Sequence, residues 1–176
     1  MAGAHGAGDA MRRAAIALRR LLDRAVGALT GAASWLVLGV SLLLLLQWPL
    51  RDLVHAYSRE ANDLAQWLFA LYVSAAVTYA SRVGAHPAAH ALAHHYPLWL
   101  RKALQRAAAA LVLLPWSLFI LYASAPLVWQ SVRQLEGFPE TFNPGYFLIK
   151  VAAWLLALLV LLQALIELLP QEEEGA

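Results

Sequence analysis

The sequence predicts an all-α membrane protein with four transmembrane helices. It also predicts an N-terminal amphipathic helix and an interfacial helical segment between the second and third spans. Three observations carry this. The chain is 61% hydrophobic and only 14% charged, where a soluble domain carries roughly a quarter charged residues. The apolar residues are gathered into four runs, each long enough to cross the hydrocarbon at about 20 helical residues. Lys and Arg alternate in abundance from one connection to the next, as topology requires.

Residues 1–10 are rich in Gly and Ala and are expected to be disordered. They lack the apolar core and cleavage site of a signal peptide. Residues 11–26 carry Arg12, Arg13, Arg19, Arg20 and Arg24 with Ile16, Leu18, Leu21, Leu22 and Val26 between them. This pattern suits a basic helix lying on an anionic membrane face. A plain cluster of topology-setting charges reads equally well.

A membrane domain is expected over residues 27–169. Its spans fall at about 28–49, 60–81, 107–132 and 147–169. The first contains no charge. The second is short unless it starts near Ser58, which would place Glu60 and Asp63 favourably in its first turns. The third carries Pro115 and Pro126, which kink or bound it. The fourth has Lys150 and Glu167 near opposite ends, where both side chains reach towards headgroups. Trp48, Tyr57, Tyr122, Trp129 and Tyr146 lie near span ends, the preferred depth of amphipathic rings.

Nine Lys and Arg residues fall in the N-terminal segment and second connection, against four in the first and third connections. The bias places both termini and the second connection in the cytoplasm. The acidic tail, residues 170–176 with Glu172, Glu173 and Glu174, goes with them. The second connection, with Leu92, Tyr96, Leu98, Trp99 and Leu100 among basic residues and His, reads as interfacial helix broken at Pro97. The stretch Phe138 to Gly145 is turn chemistry.

Candidate functional groups are few. There is no cysteine, which excludes disulfides and thiolate chemistry. No ionisable residue stands in the middle of any span, whereas proton and ion carriers usually place one there. Gly27 and Gly31 open the first span, and Ala76, Ala80 and Gly84 run along the second, at spacings that let helix backbones approach. His86, His90 and His94 repeat every four residues, with His95 beside them. Imidazoles bind transition metals, but on a straight helix the outer two lie about 12 Å apart along the axis. A polar face near headgroups or a partner is the plainer reading. Ser58, Glu60, Asn62 and Asp63 are the one dense polar group on the outer side and are explained as a helix start.

The run from Ser58 through Tyr79-Ala-Ser-Arg-Val-Gly-Ala-His86 resembles the second-helix signature of the DctQ-like small permease subunit of tripartite ATP-independent periplasmic (TRAP) transporters. An acidic residue precedes an aromatic apolar middle, and a basic residue, Gly and His follow. Glu60, Arg82, Gly84 and His86 stand at those positions. Asn143-Pro-Gly-Tyr-Phe-Leu-Ile-Lys150 is similar to the start of that family's fourth helix. After His86 the chain departs from the family's aliphatic-Val-Asp continuation, with Pro87-Ala-Ala-His90 in its place. The resemblance, over roughly residues 29–168, implies a bacterial inner-membrane protein. It implies association with a large TRAP permease subunit, which holds the ion and substrate sites, and with a periplasmic substrate-binding protein. It implies organic-acid uptake driven by an ion gradient, typically sodium. Arg59, Glu60 and Glu140 are then candidates for docking the binding protein. Membrane lipids are the other expected partner; no nucleic acid and no cofactor are expected. The alternative is a small membrane enzyme or a metal-handling protein using His86, His90 and His94.

Overall fold

The computed structural model describes residues 2–54, 58–83 and 96–170. Over these the chain is helical apart from short connections, with no strand beyond a single bridge between Gly137 and Pro144. Six α-helices follow in order: α1 (Ala2–Ala33), α2 (Leu36–Val54), α3 (Arg59–Arg82), α4 (Leu98–Ala108), α5 (Leu114–Arg133) and α6 (Tyr146–Leu168). They make four continuous apolar stretches, Ala10–Pro49, Arg59–Arg82, Leu98–Arg133 and Tyr146–Leu168, each long and apolar enough to cross a membrane. In lipid a helix satisfies its backbone polar groups within its own length, which is why such runs fold this way.

Several boundaries differ from the sequence expectation. Residues 2–10, expected to be disordered, form the first turns of α1; Ala is the strongest helix former and the amphipathic helix continues from it. The amphipathic segment is helical, but it runs without interruption into the first span. The break comes later, at Ser34 and Trp35, where N–H groups turn to carbonyls three residues back, such as Trp35 to Ala32 at 3.3 Å. Hydroxyls take up the loosened carbonyls: Thr30 donates to Val26 at 2.9 Å and Ser34 to Gly31 at 2.6 Å. Gly and Ser together are a common cause of such a kink.

α4 starts immediately after Pro97, whose ring favours an extended residue before it. It does not end at the third span. It joins α5 through a wider π turn, Ala109–Leu113, in which the N–H of Leu114 reaches the carbonyl of Ala109. Pro115 lacks an N–H and would clash with the carbonyl four residues back, and the extra width relieves that conflict. The second and fourth spans match expectation within a residue at each end.

The helices stand in a row. α6 packs against α5 on one side and α3 on the other, and α2 packs against α3. α1 lies across α3 and α6. Among the described residues α2 and α5 have no substantial contact, so the row does not close into a bundle. The apolar core is small: Val26, Leu159 and Ile166, with Leu22, Leu155 and Leu162 against them. α6 is the hub, and its small residues Ala152, Ala157 and Ala164 are fully buried. Small residues let backbones approach where lipid gives no hydrophobic drive for helix association. At the closest seam, Ser74 of α3 donates to the carbonyl of Ala152 at 2.8 Å.

Candidate functional site

The chemistry of this chain sits at the two ends of the row. At one end α1 meets the ends of α3 and α6. Arg19 of α1 donates to the carbonyl of Leu169, just past α6, at 2.7 Å. Asp23, four residues on, pairs with Arg82 at the end of α3 at 2.8 Å. These contacts seat the Arg19–Asp23 turn of the amphipathic helix over the ends of α3 and α6. Arg82, in the last turn of α3, also faces a favourable helix C-terminal dipole.

The opposite end is held by carboxylates. Ser58 caps α3, its hydroxyl accepting from the N–H of Ala61 at 3.2 Å and donating to Glu60 at 3.1 Å. Asp63, nearly buried, accepts from the hydroxyl of Thr141 at 2.5 Å. Glu136 accepts from Lys150 at 2.5 Å and from the hydroxyl of Ser131. The Lys150 and Ser131 donors hold the Glu136 carboxyl below its ordinary value. Lys150 also lies over the ring of Tyr146, 5.5 Å from its centre. This end is therefore knit from α3, α5, α6 and the connection between the last two.

That connection is ordered by its backbone. Leu135 and Phe142 take left-handed φ of 47° and 57°, and Gly145 takes 151°. Gly137 is required: a Cβ there would lie 2.9 Å from the carbonyl oxygen of Phe142. Phe138 turns inward and meets Tyr146 edge-on at 5.7 Å. Phe142 points outward, 85% exposed.

Cavities open at the basic end and beside the kink. One, of about 300 Å³, opens at the basic end among α1, α3, α4 and α6. Another, of about 540 Å³, lies between α1 and α3 beside the kink and is lined by Thr30, Gly31, Tyr72, Ala76 and Tyr79.

The residues singled out by sequence fall as follows. Gly27 lies next to Arg82, whose guanidinium would be 3.6 Å from an added Cβ, while Gly31 faces open space. The most buried stripe of α3 is Ser74, Ala75 and Thr78; Ala76 and Ala80 lie beside it, half-buried. Arg59, Glu60 and Glu140 are exposed at the carboxylate end. Gly84, His86, His90, His94 and His95 lie outside the described residues, as do residues 171–176. Among the described residues no three His, Asp or Glu side chains gather in a way that could hold a metal.

Sequence reasoning missed the tethers Asp23–Arg82, Asp63–Thr141 and Glu136–Lys150, and the small-residue face of α6. Only the last left a signal, in the Ala residues of an otherwise Leu-rich run. Fold and site together define an α-helical protein with four stretches of membrane-crossing length and apolarity and its charged groups near their ends. No family model, curated protein or solved structure matches the chain.

Proposed function

We propose that this chain is the small, non-catalytic subunit of a TRAP-type solute uptake transporter in a bacterial inner membrane. In this reading it braces a large permease subunit and presents its outer end to a periplasmic binding protein. The observation that carries the reading is the open row. Four spans stand side by side, charged groups lie only at their ends, and the row leaves most of its surface uncovered by its own chain. A protein that carries an ion or acid by itself usually places ionisable groups at mid-membrane, and transport folds usually add internal repeats there. An open row instead offers a long surface for a neighbour. The resemblance around Glu60 to Arg82 and up to Lys150 supplies the identity of that neighbour.

Arg19 of α1 meets Leu169, just past α6, at the basic end of the helices, which supports a cytoplasmic N- and C-terminus by the positive-inside rule. Reporter fusions after Gly84 or at the C-terminus should then read cytoplasmic, and fusions near Ser58 or Gly137 periplasmic. The functional test is reconstitution. The chain should co-purify with a large hydrophobic protein encoded beside it. In liposomes it should give no sodium-dependent uptake alone, and uptake should need both membrane subunits and the binding protein. Charge reversal at Arg59, Glu60 and Glu140 should weaken docking of the binding protein without dissociating the membrane complex. Uptake by this chain alone, or full-rate uptake by the large subunit without it, would overturn the proposal.

A further inference from the structure

We infer that the cavity at the basic end is a binding site for a phosphate group, the anionic headgroup of a membrane lipid being its natural source. The cavity lies among α1, α3, α4 and α6 and has a volume of about 300 Å³. Four cations line it, Arg19, Arg82, Lys102 and Arg106, against two carboxylates, Asp23 and Glu167. One carboxylate is already committed, since Asp23 pairs with Arg82. Arg19 is held by a neutral carbonyl, that of Leu169, so its charge is oriented but not cancelled. The site is thus built with a positive excess.

The second observation is what the site leaves unsatisfied. Arg82 uses one terminal nitrogen on Asp23, while its other, Nη1, is buried and has no hydrogen-bond partner among the described residues. The side-chain oxygen of Gln163, in the same cavity wall, is also buried and has no partner among the described residues. A buried polar group without a partner is costly, and a guanidinium donor most of all. A phosphate oxygen seated against Nη1 removes that cost with a charge-assisted bond, and guanidinium geometry suits phosphate. A hydroxyl or amine carried beyond the phosphate meets the free end of the Gln163 amide.

Position points to lipid. Arg82 ends an apolar span, and Gln163 and Glu167 lie in the last turns of another, the depth at which headgroups lie. Below the cavity the helices are apolar, with Leu159 and Val26 packed between them. Basic pockets between transmembrane helices at this depth take anionic headgroups.

The test uses the full chain in a neutral detergent, with binding followed by native mass spectrometry. Dioctanoyl-phosphatidylglycerol should bind saturably, and dioctanoylglycerol, which has the same chains and no phosphate, should not. The double variant Lys102→Gln, Arg106→Gln removes two exposed cations and leaves the Asp23–Arg82 and Arg19–Leu169 contacts intact. It should weaken binding on the order of tenfold, since each cation near an anionic group contributes to the attraction. The control Arg59→Gln, Arg133→Gln, at the other end, should bind as the wild type. Added inorganic phosphate identifies the source. If it fails to compete at millimolar levels, the ligand is the lipid headgroup; if it displaces the lipid and binds alone, the same site takes free phosphate. Equal binding of dioctanoylglycerol, unchanged binding by the Lys102, Arg106 variant, or equal loss in the control would overturn the inference.

Discussion

Replacing Ala152 with leucine tests the packing of the row at its tightest point. Ala152 has no exposed surface and its carbonyl accepts from Ser74 across the α3–α6 seam at 2.8 Å. Leucine adds three carbons where there is no room, and such overpacking typically costs about 1–3 kcal/mol. Separating the helices also breaks the Ser74 bond, worth roughly 0.6 kcal/mol on average between membrane helices. The expected loss is about 2–3 kcal/mol, taking the middle of the overpacking range with the lost bond. Ala76→Leu is the matched control. Ala76 lines the cavity of about 540 Å³ beside the kink, so the same enlargement should cost no more than about 0.5 kcal/mol. The assay is a reversible dodecyl sulfate titration in mixed micelles, followed by the fluorescence of the seven Trp residues. A stable Ala152 variant beside a destabilised Ala76 variant would refute the packing register and return the contact line to Ala76 and Ala80.

Three further outcomes are expected. Lys150 and then Ser131 hold the Glu136 carboxyl below its ordinary value, so its stabilising effect is present above the unfolded glutamate pKa and fades as pH falls through the lower folded value. The stability difference between wild type and Glu136→Gln should therefore shrink on acidification from pH about 6 to about 3; a difference that grows would contradict this. Phe142 holds a left-handed φ of 57° with its ring exposed. Asn tolerates that conformation better, so Phe142→Asn should stabilise the isolated chain by a few tenths to about 1 kcal/mol; a clear loss would mean that the ring is engaged. A double-mutant cycle of Asp63→Asn and Thr141→Val should return a coupling of about 1.5–3 kcal/mol, the range for a hydrogen bond to a charged group. Coupling near zero would remove this tether between α3 and the last connection.

The spans were readable from sequence because lipid imposes a strong local rule: a long apolar run must be a helix. Local stops and starts were readable for the same kind of reason. Ser58 caps α3 and Pro97 precedes α4. Pro115 was expected to kink or bound its span, and the structure resolves this as a π turn placed just before it. The facing of the helices was far less legible. Where nearly every residue is apolar, no hydrophobic stripe marks the buried side; spacing points to Ala76 and Ala80, whereas the structure buries Ser74, Ala75 and Thr78. The polar tethers were hidden by distance along the chain. Asp63 and Thr141 are 78 residues apart, and nothing near either residue announces the other. The amphipathic segment was legible as a helix, but its destination depended on Asp23 finding Arg82, a pairing that charge counts alone do not contain.

What selects this particular row is then a matter of polar geometry more than of buried area. In its apolar 18-residue window, the stretch holding α5 has 6% of residues buried inside the chain and the stretch holding α6 has 28%. In water that exposure would drive collapse, but lipid tails are as apolar as the side chains and apply no such force. Neighbours must be chosen by the few contacts that lipid cannot replace. α1 has Asp23–Arg82 to α3 and Arg19–Leu169 to α6. α3 has Ser74–Ala152 to α6. α6 has Trp154 donating to the carbonyl of Leu121 in α5 at 3.3 Å, and Lys150 on Glu136 beyond it. Each tether would cost free energy if opened into hydrocarbon or left unpaired at its edge. They fix the order of α1, α3, α5 and α6 while leaving the faces of the row uncommitted. A framework of this kind keeps its internal order whatever covers its surface, which is the mechanical property a bracing subunit needs.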